Sequence, residues 1–263
     1  MRGIRAGLAA AGVVIGLTAC GGAAPDGAAP GGAGTSEAPA GGDCAAVREY
    51  AMGLRFQQQS AEVGALQRQA YRLATERLDA AVERGGAEKP LAVVSDLDET
   101  AIDNTRLLAR DLEDCHDYTA WDTWKDWEKT GNPTLVPGAK EFFDHAASRG
   151  VAVYYVSDRN EENKGPTLAT LRGLGLPGVD DEHVQLLGPP KSERRAAIAA
   201  HHTIALQLGD TLADFDGFYE DAEVPAQRDR VSRDQARFGV DWIVFPNASY
   251  GSWRKSELAP WQP

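Results

Sequence analysis

The sequence predicts an α/β fold: a Rossmann-like, mainly parallel sheet flanked by helices, with a small helical accessory lobe. Two patterns lead there. Short runs of strand character alternate with helical stretches over residues 91–246, and acidic and hydroxyl residues fall just after three of those runs. Asp96 and Asp98 follow the first, Ser157 and Asp158 the second, and Gly209 with Asp210 a later one. In a parallel sheet those strand ends share one edge, so residues more than a hundred positions apart converge on a single crevice.

The elements follow in chain order. Arg2 and Arg5 precede "AGLAAAGVVIGLTA", an apolar stretch of signal-peptide length and too short to cross a bilayer as a helix. Residues 1–19 are therefore expected to be an export signal. The end of that stretch, Leu17-Thr18-Ala19-Cys20, looks like a bacterial lipobox, in which the cysteine receives lipid and becomes the mature N-terminus. Residues 20–42, made of Gly, Ala, Pro and small polar residues, have nothing to bury and are expected to form a flexible tether. The folded part should start near Asp43. About 220 residues remain, enough for one domain with a substantial core.

From Cys44 to about Gly86 the apolar residues Leu54, Val63, Tyr71, Leu78 and Val82, among others, recur at helical spacing, and Gly85-Gly86 ends the run. "LAVVSDL" (91–97) reads as a central strand. An insertion of about 104–136 follows, and then "VAVYYVS" (151–157), "HVQLL" (183–187), "TIALQLGD" (203–210) and "DWIVFP" (241–246) read as strands. Helices such as "GAKEFFDHAASRG" and "SERRAAIAAHH" separate them. His201-His202 reads as a helix end rather than a metal site, since no carboxylate or Cys stands at ligand spacing.

The formal net charge of −12 becomes −14 when Arg2 and Arg5 leave with the signal. Such a chain repels polyanions, and no basic cluster interleaved with aromatics reverses that locally, so nucleic-acid polymers are excluded as partners. With Cys20 assigned to lipid, Cys44 and Cys115 remain: an exported chain can join them in one disulfide, or they stay as two buried thiols. The "GxSxG", "HExxH" and Walker patterns do not occur, which removes the usual serine-hydrolase, zinc-protease and P-loop readings.

The carboxylates of "DLDET" carry the chemistry. Asp96 and Asp98 stand two residues apart with Glu99 and Asp103 close behind, a density of charge that resists burial unless a cation or a reaction offsets it. Phosphoryl transfer needs a nucleophile, a proton donor for the leaving oxygen, and cations on the phosphoryl group. Asp96 and Asp98 fit the first two needs, Asp210 and Asp214 of "GDTLADF" are hard oxygen donors suited to Mg2+, Ser157 offers a hydroxyl and Lys191 a compact positive charge.

This order of motifs resembles the haloacid dehalogenase (HAD) superfamily. The resemblance implies Asp96 as nucleophile and Asp98 as general acid/base, with Ser157 and Lys191 on the phosphate; Asp158, next to Ser157, is counted with them as phosphate-binding. It also implies a metal held by Asp96, Asp98 through its main-chain carbonyl, and Asp210, with Asp214 in support. Outside the motifs, "QQQSAEVGALQRQAYRLATERLD", "AIDN", Trp121, Trp124 and Trp127, "VPGAKEFF", "YYVSDR" and "PNASYGSW" resemble the class C acid phosphatases, bacterial surface lipoproteins many of which act as 5'-nucleotidases. The similarity spans about Gln57 to Trp253. Asp158 departs from it, because related proteins commonly carry Asn there, and an added negative charge near phosphate opposes binding.

The motifs and the resemblance imply a Mg2+-dependent phosphomonoesterase at the outer face of the membrane, where the lipobox anchors it through Cys20. Because Asp98 must be protonated to help the leaving group and neighbouring negative charge favours that, turnover is expected to be better below neutrality. Trp124 and Tyr250 are expected to sandwich the base of a nucleotide, with Trp121 as the substitute for Trp124. Packing of the last loop is the plainer role for Tyr250 and Trp253, and the spacing of the three tryptophans equally fits a packed helix face. A homodimer stays open, as do a phosphotransferase and a non-catalytic nucleotide-binding or storage protein on the same fold. Transfer to added alcohols distinguishes the former, and binding without turnover the latter.

Overall fold

The computed structural model describes residues 44–262, so the export signal, the tether and Cys20 lie outside the described residues. The amino-terminal helical run is three helices: α1 (Cys44–Arg48), α2 (Ala51–Gln59) and α3 (Ala61–Arg84). Ser60 makes the second break. Its backbone is extended and its hydroxyl accepts from the Val63 N–H (3.2 Å), which caps α3 and competes with helix continuation through this point. At the other end Gly85 takes a positive φ of 59°, as the Gly pair predicts.

Next come β1 (Leu91–Ser95), β2 (Ile102–Asp103), α4 (Thr105–Glu113), α5 (Trp124–Thr130) and β3 (Thr134–Leu135). β2 and β3 pair antiparallel and close the base of the insertion, whose helices α4 and α5 form the accessory lobe. The chain continues through α6 (Ala139–Ser148), β4 (Ala152–Val156), α7 (Lys164–Gly173), β5 (Val184–Gln185), α8 (Lys191–His201) and β6 (Thr203–Gly209). It ends with α9 (Phe218–Asp221), α10 (Val224–Asp234) and β7 (Trp242–Val244). α8 stops at His201, and His202 is its extended C-cap, as expected of that pair.

Five strands form one sheet in the order β5-β4-β1-β6-β7, every pair parallel. β1 is central. The chain builds outward from β1 through β4 to β5, then returns to lay β6 on the other side, so the direction of winding reverses beside β1 and opens a crevice at its carboxyl end.

Both faces are covered because alternate residues point opposite ways. Val93, Val153, Tyr155, Leu206, Leu208 and Ile243 face one way and pack with Tyr71, Ala74 and Leu78 of α3, Phe142, Phe143 and Ala146 of α6, and Leu168 and Leu171 of α7. Ala92, Val94, Tyr154 and Val156 face the other way and meet Ile198 of α8, while Trp242 packs with Phe215 and Tyr219. Tyr71 ties the larger core to the motif loop: its ring meets Phe142, Phe143 and Phe245, and its buried hydroxyl donates to the Thr100 carbonyl (2.7 Å).

Cys44 and Cys115 form a disulfide, which resolves the alternative left open by the sequence. It fastens α1 to the turn that follows α4.

Candidate active site

The "DLDET" loop begins where β1 stops. The Asp96 N–H still donates to the Leu208 carbonyl (2.9 Å), extending the ladder by one residue and fixing the direction of the Asp96 side chain. The chain then turns tightly on one acceptor: the Leu97 carbonyl takes the N–H groups of Ala101 and Ile102, both at 2.8 Å. The turn needs a left-handed residue, and Glu99 supplies it with a φ of 57°. That conformation costs a non-glycine residue about 1 kcal/mol or more. Buried bonds hold it, since the Asn104 N–H donates to one Glu99 oxygen (2.8 Å) and the Tyr250 hydroxyl to the other.

Asp96 and Asp98 point into different surroundings. Asp96 is buried, and its Oδ1 accepts from Lys191 Nζ (2.7 Å), which also donates to Asp214 Oδ1 (2.7 Å). Asp98 is gripped by Arg159, whose Nε reaches both carboxylate oxygens (3.0 and 3.1 Å) while Nη2 reaches Oδ1 (2.8 Å). Asn104 Nδ2 (2.8 Å) and the Ser157 hydroxyl (3.2 Å) complete the set of donors to Asp98.

The other carboxylates come from the end of β6. Asp210 accepts from Thr100 Oγ1 (3.2 Å) and Asn247 Nδ2 (2.7 Å). Asp214 ends a short turn of 3-10 helix, Leu212–Asp214, where it and Thr211 cap one another; its Oδ2 accepts from the Thr211 N–H and hydroxyl, both at 2.9 Å. Gly209 explains the glycine of "GD": a methyl group there would overlap the Asp214 side chain. Lys191 opens α8 directly after Pro190 and is buried, although two prolines before a lysine also suit a surface charge.

One oxygen each from Asp96, Asp210 and Asp214 lies within 4.8 Å of the others. Three carboxylates against the one ammonium of Lys191 leave an excess of two negative charges, which suits a divalent cation with hard oxygen ligands. The electrostatics agree. Burial first, and then the neighbouring Asp214, pushes Asp210 up to about 7. Burial also raises Asp96 well above the usual carboxylate range; Lys191 opposes this, but it is shared with Asp214, and Asp214, Asp210 and Asp98 all add to the rise.

A cavity of about 400 Å3 opens over these groups, walled by Trp121, Trp124, Tyr250, Leu187 and Glu128 as well as by Asp96, Asp98, Arg159 and Lys191. Residues 41–253 match the family model described as HAD superfamily, subfamily IIIB (acid phosphatase). The chain belongs to this family. It is 34% identical to the class C acid phosphatase from Bacillus anthracis, with a TM-score of 0.75 over 79% of this chain and 87% of that one. The structure of that protein with tungstate bound matches equally well.

The phosphatase thus brings together every motif residue that the sequence singled out at the strand ends, though their surroundings differ in three ways from the sequence reading. Asp214, set in support, places its carboxylate inside the acidic cluster; the Asp98 carboxylate is turned to Arg159, which leaves the expectation of a metal bond through the Asp98 main-chain carbonyl as it was. Asp158 lines the cavity beside Lys191 (3.9 Å), but its carboxylate is paired with Arg194 (2.7 Å). Trp124 and Tyr250 do not form a sandwich: their rings are 87° apart with centroids at 6.1 Å, which leaves no parallel slot between them, and Trp124 is buried. Trp121 supplies the exposed face instead. It is 47% exposed and meets Tyr250 edge-on at 5.1 Å.

Arg159, Asn104, Thr100, Asn247 and Glu128 went unassigned in the sequence. Four of them stand inside the stretches that carry the resemblance, Thr100 in "DLDET", Arg159 in "YYVSDR", Asn104 in "AIDN" and Asn247 in "PNASYGSW". An arginine two residues beyond a strand-end serine, in so acidic a chain, was the available signal. Glu128 carried none: this buried carboxylate of α5 accepts from the Asn160 N–H (3.1 Å) and from Asn163 Nδ2 (2.6 Å), joining the lobe to the loop after β4.

Proposed function

We propose that this acid phosphatase is a Mg2+-dependent hydrolase of phosphate monoesters, acting on 5'-nucleotides through an aspartyl-phosphate at the outer face of the cell membrane. The observation that carries the reading is the three-carboxylate cluster with Lys191 at the sheet edge, directly beneath an aromatic-walled cavity. Asp96 and Asp210 would hold the cation together with the main-chain carbonyl of Asp98, with Asp214, whose oxygens accept from Lys191 and Thr211, in support; the cation when bound supplies positive charge beside the phosphoryl group.

The chain's own groups carry the proton and phosphoryl chemistry. An Asp96 oxygen attacks phosphorus as the bond to the leaving oxygen breaks, and Asp98 gives that oxygen its proton. Asp98 then takes a proton from the water that attacks the aspartyl-phosphate, releasing phosphate and restoring Asp96. Arg159 and Asn104 fix which way Asp98 points during both transfers, and Lys191 and Ser157 bind phosphate oxygens.

The direct test is phosphate release from a panel of monoesters with and without Mg2+, with simple alcohols added to separate hydrolysis from phosphotransfer. Metal demand should depend on pH with a definite sign. Burial pushes Asp210 up to about 7 in the metal-free protein, and it must lose its proton to bind metal, so Mg2+ binding weakens as pH falls below that point; Asp96, also raised by burial, adds to the same trend. Half-saturating Mg2+ is therefore expected to rise from pH 7.5 to pH 5.5; equal values at the two would remove Asp210 from the ligand set. Turnover below neutrality is accordingly compared at saturating metal.

Nucleotide preference rests on the cavity wall, whose volume falls in the range of about 300–1,000 Å3 usual for small-molecule sites. Stacking on an aromatic face is worth about 1–3 kcal/mol per base. Trp121 presents the exposed aromatic face of that wall, so Trp121→Ala is expected to raise KM for 5'-nucleotides several-fold with little effect on a small ester. Tyr250→Ala is expected to impair both substrates, because the Tyr250 hydroxyl also holds Glu99 in the catalytic loop. Equal losses on both substrates for Trp121→Ala would reduce the substrate class to monoesters in general.

Location rests on the sequence, through the export signal and Cys20. Among the described residues no helix is long and apolar enough to cross a membrane. Cys20→Ser is expected to move activity from the membrane fraction to the soluble exported fraction; activity that stays with the membrane would refute the lipid anchor.

A further inference from the structure

Arg194 lies one turn after Lys191 on α8 and is buried at 6% side-chain exposure. Its Nη1 donates to three carbonyls, those of Ser157 (2.7 Å), Leu186 (3.0 Å) and Gln185 (3.2 Å), and its Nη2 donates to Asp158 Oδ1 (2.7 Å). One guanidinium therefore joins the carboxyl ends of β4 and β5 and holds the carboxylate that stands between Ser157 and Arg159. Asp158 Oδ2 is also 3.9 Å from Lys191 Nζ, the ammonium already shared by Asp96 and Asp214. Two cations thus compete for Asp158. The shorter, hydrogen-bonded contact belongs to Arg194, which leaves Lys191 to Asp96 and Asp214.

We infer that Arg194 is a positioning residue for phosphate binding: by pairing with Asp158 it offsets the charge of that carboxylate, fixes the 157–159 loop, and keeps Lys191 available to an entering phosphate. The inference rests on the reading of Ser157 and Lys191 as phosphate ligands. It accounts for a negative residue beside the phosphate loop, since the carboxylate and the guanidinium act as a near-neutral unit while both are present. Removing either one leaves the charge of the other, so the two substitutions act with opposite signs on an anion.

The test is competitive inhibition by inorganic phosphate, measured on the full-length protein at fixed ionic strength and saturating Mg2+. Asp158→Asn is expected to lower the phosphate inhibition constant about threefold, because it leaves Arg194 unpaired near the site. Arg194→Gln is expected to raise the constant about tenfold, and the double variant to return within about threefold of wild type. A purely structural Arg194 predicts otherwise: the double variant stays as weak as Arg194→Gln, and Asp158→Asn leaves inhibition unchanged. Either of those results overturns the inference. Asp158 is 60% exposed, so its own substitution remains readable if Arg194→Gln does not fold. Lys191→Met, followed by direct calorimetric binding of inorganic phosphate because its turnover is expected to be lost, separates the underlying reading from the inference. Loss of phosphate binding in that variant upholds the ligand assignment and leaves the cycle to decide on Arg194. Wild-type phosphate binding there overturns the assignment itself, and the inference with it.

Discussion

Asp96→Asn is expected to lower phosphate release by at least about 10^3-fold while leaving the protein folded. The substitution is nearly isosteric, and the backbone of residue 96 is held by its bond to Leu208, so geometry is kept and only the nucleophilic oxygen is lost. Stability should move the other way. In the metal-free protein Asp96 is a buried carboxylate facing two others across the cluster, and burial, then Asp214, Asp210 and Asp98, raises it well above its ordinary range against the pull of Lys191. A carboxyl group raised on folding stabilises the fold in its protonated state and loses that contribution as pH climbs above about 4, the range of the unfolded chain. Without metal, the melting temperature of Asp96→Asn is therefore expected to exceed that of wild type by a margin that widens from pH 4 to pH 7. Phosphate release within tenfold of wild type would sink the nucleophile assignment. A margin that narrows with pH would show that Lys191 outweighs burial.

Arg159→Ala is expected to cost about 3 kcal/mol of stability, the low end of the range for breaking a buried ion pair, because Asp98 retains 14% exposure while the Arg159 side chain retains 2%. The loss comes from leaving Asp98 with only Asn104 and Ser157 as donors; the Asn104 side-chain oxygen also loses its bond from Arg159 (3.1 Å) but keeps that from Trp127 Nε1 (2.8 Å). Activity should fall for a geometric reason. Arg159 meets both oxygens of Asp98 from one planar fork, which sets the plane of the carboxyl group that passes the proton, and a misplacement of about 1 Å can cost about 10^2-fold in rate. Arg159→Lys keeps the charge without the fork, so it is expected to recover part of the lost stability but little of kcat. Thermal melting and kcat, measured on both variants, check this together. A lysine variant with wild-type kcat would mean that charge alone orients Asp98.

Pattern by itself determined the class of fold and the location of the chemistry. The five strands stand where apolar runs were read, at Leu91–Ser95, Ala152–Val156, Val184–Gln185, Thr203–Gly209 and Trp242–Val244, because strand runs between helical stretches leave their mark along the chain. The motif carboxylates were legible for the same reason: a strand end followed by Asp, Ser or Gly-Asp is a local signal, and a parallel sheet gathers such ends by topology alone.

Only the tertiary structure decided the partners of those residues. Arg159 on Asp98, Arg194 on Asp158, and Lys191 between Asp96 and Asp214 link elements about 20 to 95 positions apart, and which donor reaches which acceptor depends on side-chain direction and distance, which no spacing rule encodes. The aromatic wall shows the same limit. Trp121, Trp124 and Tyr250 were each singled out, but whether rings stand parallel or crossed is set by the packing of the lobe on Leu54, Leu107, Leu108 and Tyr118, so the expected sandwich became a corner with Trp121 as its exposed face. The disulfide was undecidable for a related reason. Two cysteines 71 positions apart can bond only if the fold sets their Cα atoms at bridging distance, here 5.0 Å, and that distance is a property of how α1 meets the turn after α4.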